Sequence, residues 1–190
     1  MWTLPNLLSL FRIAIIPVLV YLLTLPDPYS ALLAACLFLV ASLTDYFDGY
    51  LARRNHTVSN LGKILDPLAD KLMIVASLIM LAAMDREPSV PAWLVVVVVA
   101  RETAVTILRG IALSEGIVLE AEELGKYKFT LQAFAVSALL VHYRYLGIDF
   151  YAVGIYFLVI STIAALWSGV NYYVKFFRWV QQEAGTAGHR

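Results

Sequence analysis

Residues 45–53, DYFDGYLAR, end one long apolar run, and residues 62–70, GKILDPLAD, begin the next. Acidic side chains recur in both stretches three or four residues apart, a spacing that places them on one face of a helix. Ionisable groups are costly inside apolar helices, so their presence here indicates a functional site. The connection between the stretches is short, which predicts that the two helices are antiparallel neighbours and that their acidic faces meet.

The composition of the whole chain is that of a membrane protein. Hydrophobic residues make up 61% of the 190 residues and charged residues only 15%, whereas a soluble domain is about half apolar and about a quarter charged. The formal net charge is +0. Because a nucleic-acid-binding protein needs an excess of Lys and Arg against phosphates, the charge balance argues against nucleic acid as a partner.

Six apolar stretches in the chain are long enough to cross a bilayer, which takes about 20 helical residues. Backbone polar groups in lipid must be bonded within the segment, so each stretch is expected to be a helix. We predict an all-α, polytopic membrane protein that forms a single domain over residues 1–190. Its six transmembrane helices are predicted near residues 7–25, 30–51, 63–84, 91–113, 126–146 and 150–174.

The positively charged residues predict the orientation of these helices. If the N-terminus is cytoplasmic, twelve of the fourteen Lys and Arg residues lie on the cytoplasmic side, and only Arg86 and Arg144 lie on the other. Positive charges favour the cytoplasmic side of membrane proteins. Both termini are therefore predicted to be cytoplasmic, with the acidic cluster at the cytoplasmic end of its helices.

The four aspartates in these stretches, Asp45, Asp48, Asp66 and Asp70, predict a divalent metal site. Four carboxylates in one pocket of low polarity repel one another unless cations neutralise them. Oxygen ligands of this kind favour Mg²⁺ or Mn²⁺ over zinc. Two ions suit phosphoryl chemistry, because they hold both the attacking and the leaving oxygen. The alternative is that the acids form salt bridges with Arg53, Arg54, Lys63 and Lys71 at a hydrated helix end.

Small residues lie between the aspartates. Gly49, Ala52 and Gly62 have little or no side chain, so a ligand can approach the helix backbone closely at these positions. A nucleotide diphosphate bound to the metal ions is a ligand that needs such space.

The complete pattern, D-x-x-D-G-x-x-A-R-x8-G-x-x-x-D-x-x-x-D over residues 45–70, resembles the signature of the CDP-alcohol phosphotransferases. Other stretches are similar to the bacterial branch of that family that transfers the phosphatidyl group of CDP-diacylglycerol to glycerol 3-phosphate. These stretches are residues 4–12, 42–45, 66–71, 100–102 and 125–128. Two positions depart from that branch: Ser9 stands where Thr is common, and Gly110 stands where Glu is expected.

The resemblance implies a transferase of phospholipid biosynthesis in the bacterial cytoplasmic membrane, usually a homodimer, with its active site facing the cytoplasm. The products are then phosphatidylglycerophosphate and CMP. Asp45, Asp48, Asp66 and Asp70 become metal ligands, and Asp70 is also the general base. The residues that it implies for binding the CDP group are Asn6, Asp48, Gly49, Ala52, Arg53 and Gly62.

The phosphate of the acceptor needs cationic partners, and Arg101, Arg109 and Lys126 are the candidates. Arginine suits this role because its fork of N–H donors matches a phosphate. The alternative for Arg101 is an ion pair with a carboxylate such as Glu102. Lys126 and Lys128 can instead extend to the membrane surface, and Lys128 is predicted to be such an anchor.

Other functions remain open at this stage. A phosphatidylserine, phosphatidylinositol-phosphate or cardiolipin synthase keeps the same metal motif and changes the acceptor. A membrane prenyltransferase also binds a metal diphosphate between Asp-rich helices, but is expected to have a different first motif, with an Asn-Asp pair and D-x-x-x-D. A divalent-cation transporter, which is not an enzyme, needs its acids near the middle of the bilayer.

Overall fold

The computed structural model describes the backbone of residues 4–54, 62–115 and 123–187, and the side chains of residues 6–44, 65, 67–115 and 128–181. Within these residues the chain is helical apart from one small hairpin, which confirms the all-α prediction. The helices are α1 (Leu4–Thr24), α2 (Pro28–Arg54), α3 (Gly62–Ala83), α4 (Ala92–Ser114), α5 (Glu123–Val141) and α6 (Phe150–Ala187).

Local sequence signals define the start of α2. The Asp27 carboxylate accepts a hydrogen bond from the backbone N–H of Ser30 at 2.8 Å and another from the Ser30 hydroxyl at 2.8 Å. Pro28 follows as the first helical residue, where its missing N–H costs nothing. Asp27 is thus an N-cap residue, and the sequence Pro26-Asp27-Pro28 both ends α1 and starts α2.

The predicted span over residues 126–146 is wrong at its C-terminal end, because α5 ends at Val141. His142 has a φ of 64°, which is not helical. Residues Arg144–Tyr145 (β1) and Ile148–Asp149 (β2) then form an antiparallel hairpin. Leu146 and Gly147 make its turn, with φ values of 52° and 79°, the backbone conformation that two-residue hairpins require. At the other end of the chain, α6 continues past the predicted limit of 174 to Ala187.

Helix α1 packs against both α2 and α3, and α5 packs most extensively against α6. Among the described residues, α1 makes more contact with α3 than α2 does; most of the acidic motif at the ends of α2 and α3 lies outside the described side chains. Gly154 permits the close approach of α6 to α5, because a Cβ atom there would lie 2.6 Å from Cγ of Leu139. The core contains the fully buried side chains Leu19, Leu23, Phe38, Leu78, Leu139, Leu140 and Leu158.

Two of the described helices are long and apolar enough to cross a membrane, at Asn6–Thr24 and Phe150–Gln181. Only 28% of the most apolar window of each is buried inside the protein. Large apolar side chains such as Trp93, Tyr156 and Trp167 are more than half exposed. Apolar surface on this scale is unfavourable in water and marks a membrane or protein contact.

The loops 25–27, 85–89 and 142–151 meet at one end of the helix bundle. Nη2 of Arg86 donates to the carbonyl oxygen of Leu25 at 2.7 Å. The hydroxyl of Tyr151 donates to the carbonyl oxygen of Ser89 at 2.8 Å. These side-chain bonds to backbone carbonyls join three connections that are far apart in sequence.

Candidate active site

The predicted metal ligands lie in α2 and α3. Asp45 and Asp48 are in the last turns of α2, and Asp66 and Asp70 are in the first turns of α3. The side chains of Asp45, Asp48 and Asp66 lie outside the described part of the protein, as do those of Gly49, Ala52, Arg53 and Gly62. Their meeting around a cation therefore stays a prediction, and Asp70 is the predicted ligand whose surroundings the structure describes.

Asp70 forms an ion pair with Arg12 of α1. Nη1 of Arg12 donates to Oδ1 of Asp70, and the two side chains are only 3% and 18% exposed. Taking both charges out of water costs free energy, and their mutual attraction in a poorly polar environment offsets that cost. The predicted general base is thus held by a cation from a helix that the acidic motif does not include.

Arg12 belongs to a buried polar stripe on α1. Asn6, Ser9 and Arg12 recur at intervals of three residues and are at most 2% exposed. This spacing places all three on one face of the helix, towards the protein interior. The burial of Asn6 agrees with its predicted place near the site. The sequence analysis assigned no role to Ser9 or Arg12, although an arginine inside an apolar span was itself a signal.

Lys71 follows Asp70 in α3 but contacts a different helix. Its Nζ donates a hydrogen bond to the hydroxyl of Thr106 in α4. The Thr106 hydroxyl in turn donates to the backbone carbonyl of Glu102 at 2.6 Å. Lys71 therefore brings a positive charge from the acidic motif to the face of α4 that carries Arg101 and Arg109.

Arg101 and Lys128 share one carboxylate. Nη1 of Arg101 donates to Oε1 of Glu102 at 2.8 Å, and Nζ of Lys128 donates to the same oxygen. Nε of Arg101 also donates to the carbonyl oxygen of Ala165 in α6 at 2.8 Å. The ion pair with Glu102, which was the alternative for Arg101, is thus present. Lys128 is buried, so its prediction as a surface anchor is wrong.

Arg109 contacts Tyr172 of α6. Its Nη2 donates to the Tyr172 hydroxyl oxygen at 2.9 Å, and its guanidinium carbon lies 4.9 Å from the centre of the ring. Tyr172 is neutral, so this contact orients the guanidinium without cancelling its charge. Lys126 lies in α5, two residues before Lys128, and its side chain is outside the described part.

These side chains form one positively charged cluster, which we call the cation cluster: Lys71, Arg101, Arg109 and Lys128, with Glu102 among them. The charges of Arg101 and Arg109 act on Lys71, and those of Arg101 and Lys71 act on Lys128. Four basic side chains with one carboxylate give the described part of this cluster a net positive charge. Like charges gathered in a partly buried site repel, which favours a bound anion.

Comparison with known proteins identifies the family of the chain. The family profile described as CDP-alcohol phosphatidyltransferase matches residues 2–169. The chain is 40% identical over 182 residues to the CDP-diacylglycerol–glycerol-3-phosphate 3-phosphatidyltransferase of Bacillus subtilis (strain 168), covering 88% of this chain and 93% of the relative. The protein of the same description from Rickettsia typhi is 36% identical over 174 residues, covering 91% and 96%.

A relative with a different description is also similar. The cardiolipin synthase (CMP-forming) of Oryza sativa subsp. japonica is 35% identical over 190 residues, which cover 93% of this chain and 58% of that relative. The profile match over most of the chain, together with relatives aligned over nearly their whole length, establishes the family. The chain belongs to the CDP-alcohol phosphatidyltransferase family.

Proposed function

We propose that the protein transfers the phosphatidyl group of CDP-diacylglycerol to glycerol 3-phosphate, forming phosphatidylglycerophosphate and CMP. Relatives that carry the name of this activity align with about nine-tenths of the chain. The structural observation that carries the proposal is the cation cluster, which begins at Lys71, one residue after the predicted general base. An acceptor that bears both a hydroxyl and a phosphate fits two adjacent sites of this kind.

The cation cluster recognises the phosphate of the acceptor. Arg109 donates to the hydroxyl of Tyr172 and Lys71 to the hydroxyl of Thr106, so neither side chain contacts a carboxylate in these two bonds. Arg101 and Lys128 share the charge of Glu102 and lie deeper among the helices. We assign the primary phosphate contacts to Arg109 and Lys71, with Arg101 and Lys126 as further ligands. Inositol without a phosphate is uncharged, and serine carries a single carboxylate together with an ammonium group, so neither complements this charge as well as a phosphate monoester does.

Asp70 takes the proton from the acceptor hydroxyl. Its carboxylate is partly buried and is oriented by Arg12, so it is held in place without being fully enclosed. The acceptor oxygen then attacks the phosphorus that carries the diacylglycerol, and CMP leaves with the bond electrons. Because Asp70 and Lys71 are adjacent in α3, the proposed base lies close to the side chains that are proposed to bind the acceptor phosphate.

The donor set suits divalent metal ions. Asp45 and Asp48 are one helical turn apart in α2, as are Asp66 and Asp70 in α3, and all four offer carboxylate oxygens of the type that Mg²⁺ or Mn²⁺ accepts. The family resemblance supports two ions held by these residues. When bound, the ions supply positive charge to the diphosphate. Asn6, Asp48, Gly49, Ala52, Arg53 and Gly62 are proposed to bind the CDP group.

The exposed apolar surface supports a location in the bilayer, with all six helices as spans and the chain as one domain. Arg86 and Arg144 lie in the loops at one end of the bundle. The residues of the Arg12–Asp70 pair and of the cation cluster lie within the helices and not in these loops. The positive-inside preference then supports cytoplasmic termini and a cytoplasmic active site in a bacterial inner membrane. The resemblance to the family supports a homodimer.

The deciding experiment supplies purified protein in detergent with CDP-diacylglycerol, Mg²⁺ or Mn²⁺, and labelled acceptors offered separately. We expect labelled phosphatidylglycerophosphate and stoichiometric CMP from glycerol 3-phosphate. Serine and inositol phosphate serve as competing acceptors of different charge and shape. Formation of another phospholipid in preference would overturn the assignment of the acceptor but not the reaction class. Metal flux in vesicles without CMP release would favour a cation transporter.

Cardiolipin synthesis is the second candidate, because the relative from Oryza sativa bears that name and covers nearly the whole chain. Phosphatidylglycerol is then the acceptor to test beside glycerol 3-phosphate. The free phosphate of glycerol 3-phosphate complements the positive charge of the cation cluster better than phosphatidylglycerol does. We therefore rank cardiolipin synthesis second.

A further inference from the structure

The proposed reaction uses only one of the residues that line a groove on the outer surface of α4 and α6, namely Arg101. Its volume is about 380 Å³, within the usual range of small-ligand sites, about 300–1,000 Å³. The lining is almost wholly apolar and includes three small residues: Ala100 and Ala104 on α4, and Gly169 on α6. Leu166, Val170 and Tyr173 form a partly exposed rim.

Arg101 joins this groove to the cation cluster. It lines the groove, although its side chain is only 10% exposed. Its hydrogen bonds use Nε and Nη1, so Nη2 has no hydrogen-bond partner among the described residues. Further along the same two helices, Arg109 and Tyr172 make the next α4–α6 contact. One surface therefore combines an apolar trough with an arginine that has a free N–H donor among the described residues, beside the cation cluster.

We propose that this groove binds an acidic glycerophospholipid, with one acyl chain between Ala104 and Gly169 and the lipid phosphate at Nη2 of Arg101. An acyl chain suits the apolar lining, because its transfer from the bilayer exposes no polar surface. A negative headgroup complements the surplus charge of the cluster, whereas a zwitterionic headgroup complements it less. The inference rests on the proposed membrane location but not on the proposed reaction.

Two glycines on neighbouring helices allow a matched test. A Cβ atom on Gly169 would lie 3.6 Å from Nε of Arg101 and from Cγ2 of Val105, which are ordinary contacts, so a larger side chain there enters the groove without a backbone clash. A Cβ atom on Gly110 would meet nothing within 4 Å. Gly169→Leu should fill the groove, and Gly110→Leu adds the same side chain outside it.

The measurement is lipid binding to the purified full-length chain by native mass spectrometry. The probes are dioleoyl phosphatidylglycerol and dioleoyl phosphatidylcholine, which have the same acyl chains. We expect the wild type and Gly110→Leu to prefer phosphatidylglycerol, and Gly169→Leu to bind it about tenfold more weakly, a change of about 1.4 kcal/mol. Ala104→Leu fills the opposite wall and replaces Gly169→Leu if that variant does not fold, as judged by circular dichroism.

Equal binding of the two lipids, or unchanged binding in the groove-filling variant, would overturn the proposal. A shift of Gly169→Leu from the mass of two chains to one would also overturn it, because the groove would then be an interface between copies. CMP release is measured on the same samples. A wild type that releases CMP with glycerol 3-phosphate but does not distinguish the lipids would leave the proposed function intact while removing the groove site.

Discussion

Asp70 and Lys71 are adjacent in α3, yet their side chains contact different helices, Asp70 meeting Arg12 of α1 and Lys71 meeting Thr106 of α4. Successive residues of a helix are rotated by about 100° relative to each other. The predicted base and the first residue of the cation cluster therefore lie in the same turn of α3 but face different neighbouring helices.

This separation predicts different kinetic effects for the two residues. Asp70→Asn keeps the size of the side chain and removes the base, so turnover should fall by at least about 100-fold, the lower range for general base catalysis. Lys71→Gln should instead raise the KM for glycerol 3-phosphate about tenfold, with a smaller change in kcat. Initial-rate kinetics with varied acceptor distinguish the effects. Equal loss of kcat in both variants would contradict the division of roles.

The pairing of Arg12 with Asp70 predicts a large cost for removing Arg12. Arg12→Ala breaks a mostly buried ion pair by removing one partner, which typically costs about 3–5 kcal/mol. Arg144→Ala is the matched control, since Arg144 pairs with Asp149 while 77% exposed, and such surface pairs contribute at most about 1 kcal/mol. Thermal unfolding in detergent compares the two. Similar losses of stability in both variants would show that Arg12 does not stabilise a buried pair.

Arg109 is predicted to discriminate acceptors by their phosphate. Arg109→Gln should raise the KM for glycerol 3-phosphate at least about tenfold, because the charge is lost, while the KM for CDP-diacylglycerol changes little. Tyr172→Phe removes the hydroxyl that accepts from Arg109 but keeps the ring beneath it, so its effect should be smaller. If Tyr172→Phe matches Arg109→Gln, the hydroxyl itself contacts the acceptor.

The carboxylate of Glu102 is predicted to stabilise Lys128 inside the protein. Glu102→Gln removes the negative charge that Lys128 contacts while buried, and the unpaired ammonium should cost about 3 kcal/mol or more in stability. Lys128→Met removes the charge and keeps an apolar chain of similar length. The double variant should recover much of the stability lost in Glu102→Gln, a coupling that a double-mutant cycle measures. Additive losses would mean that the two residues are not coupled.

Much of the helix pattern could be predicted from the sequence, because long apolar runs and turn residues act locally. The end of α5 could not, since Val141, Tyr143 and Tyr145 continue an apolar or aromatic run while His142 adopts a positive φ. That conformation depends on contacts with distant loops, such as the Tyr143 hydroxyl at 3.5 Å from the carbonyl oxygen of Pro26. A local pattern contains no information on such contacts.

Part of the candidate site could also be predicted from the sequence, and part could not. The spacing of Asp66 and Asp70 could be recognised as one helix face, and Arg101 and Arg109 as candidate anion ligands. The partner of Asp70 could not be identified, because Arg12 is 58 positions away in sequence. Arg12 contributed only to the count of positive charges that predicts the orientation of the helices. Lys128 was misassigned because a lysine near a helix start usually reaches for the membrane surface, whereas Glu102 of α4 holds it inside.

His142 predicts a loss of stability at mildly acidic pH. Burial lowers its pKa from the ordinary value of 6.5, and the nearby charge of Arg86 acts in the same direction, against the carbonyl oxygen of Glu87 and the carboxylate of Asp149. The folded protein therefore favours neutral His142, and the unfolded chain binds the proton more readily. Stability is complete above pH 6.5 and decreases as the pH falls through 6.5 towards the lower pKa of the folded state.

Unfolding temperatures measured from about pH 7.5 to about pH 5.5 test this expectation. The wild type should become less stable as the pH falls, and His142→Gln, which cannot gain the proton, should show a flatter profile. Asp27 does not contribute in this range, because its hydrogen bond from the Ser30 N–H holds its pKa below 3.8. Identical pH profiles for wild type and His142→Gln would assign the acid sensitivity to other groups and contradict the prediction for His142.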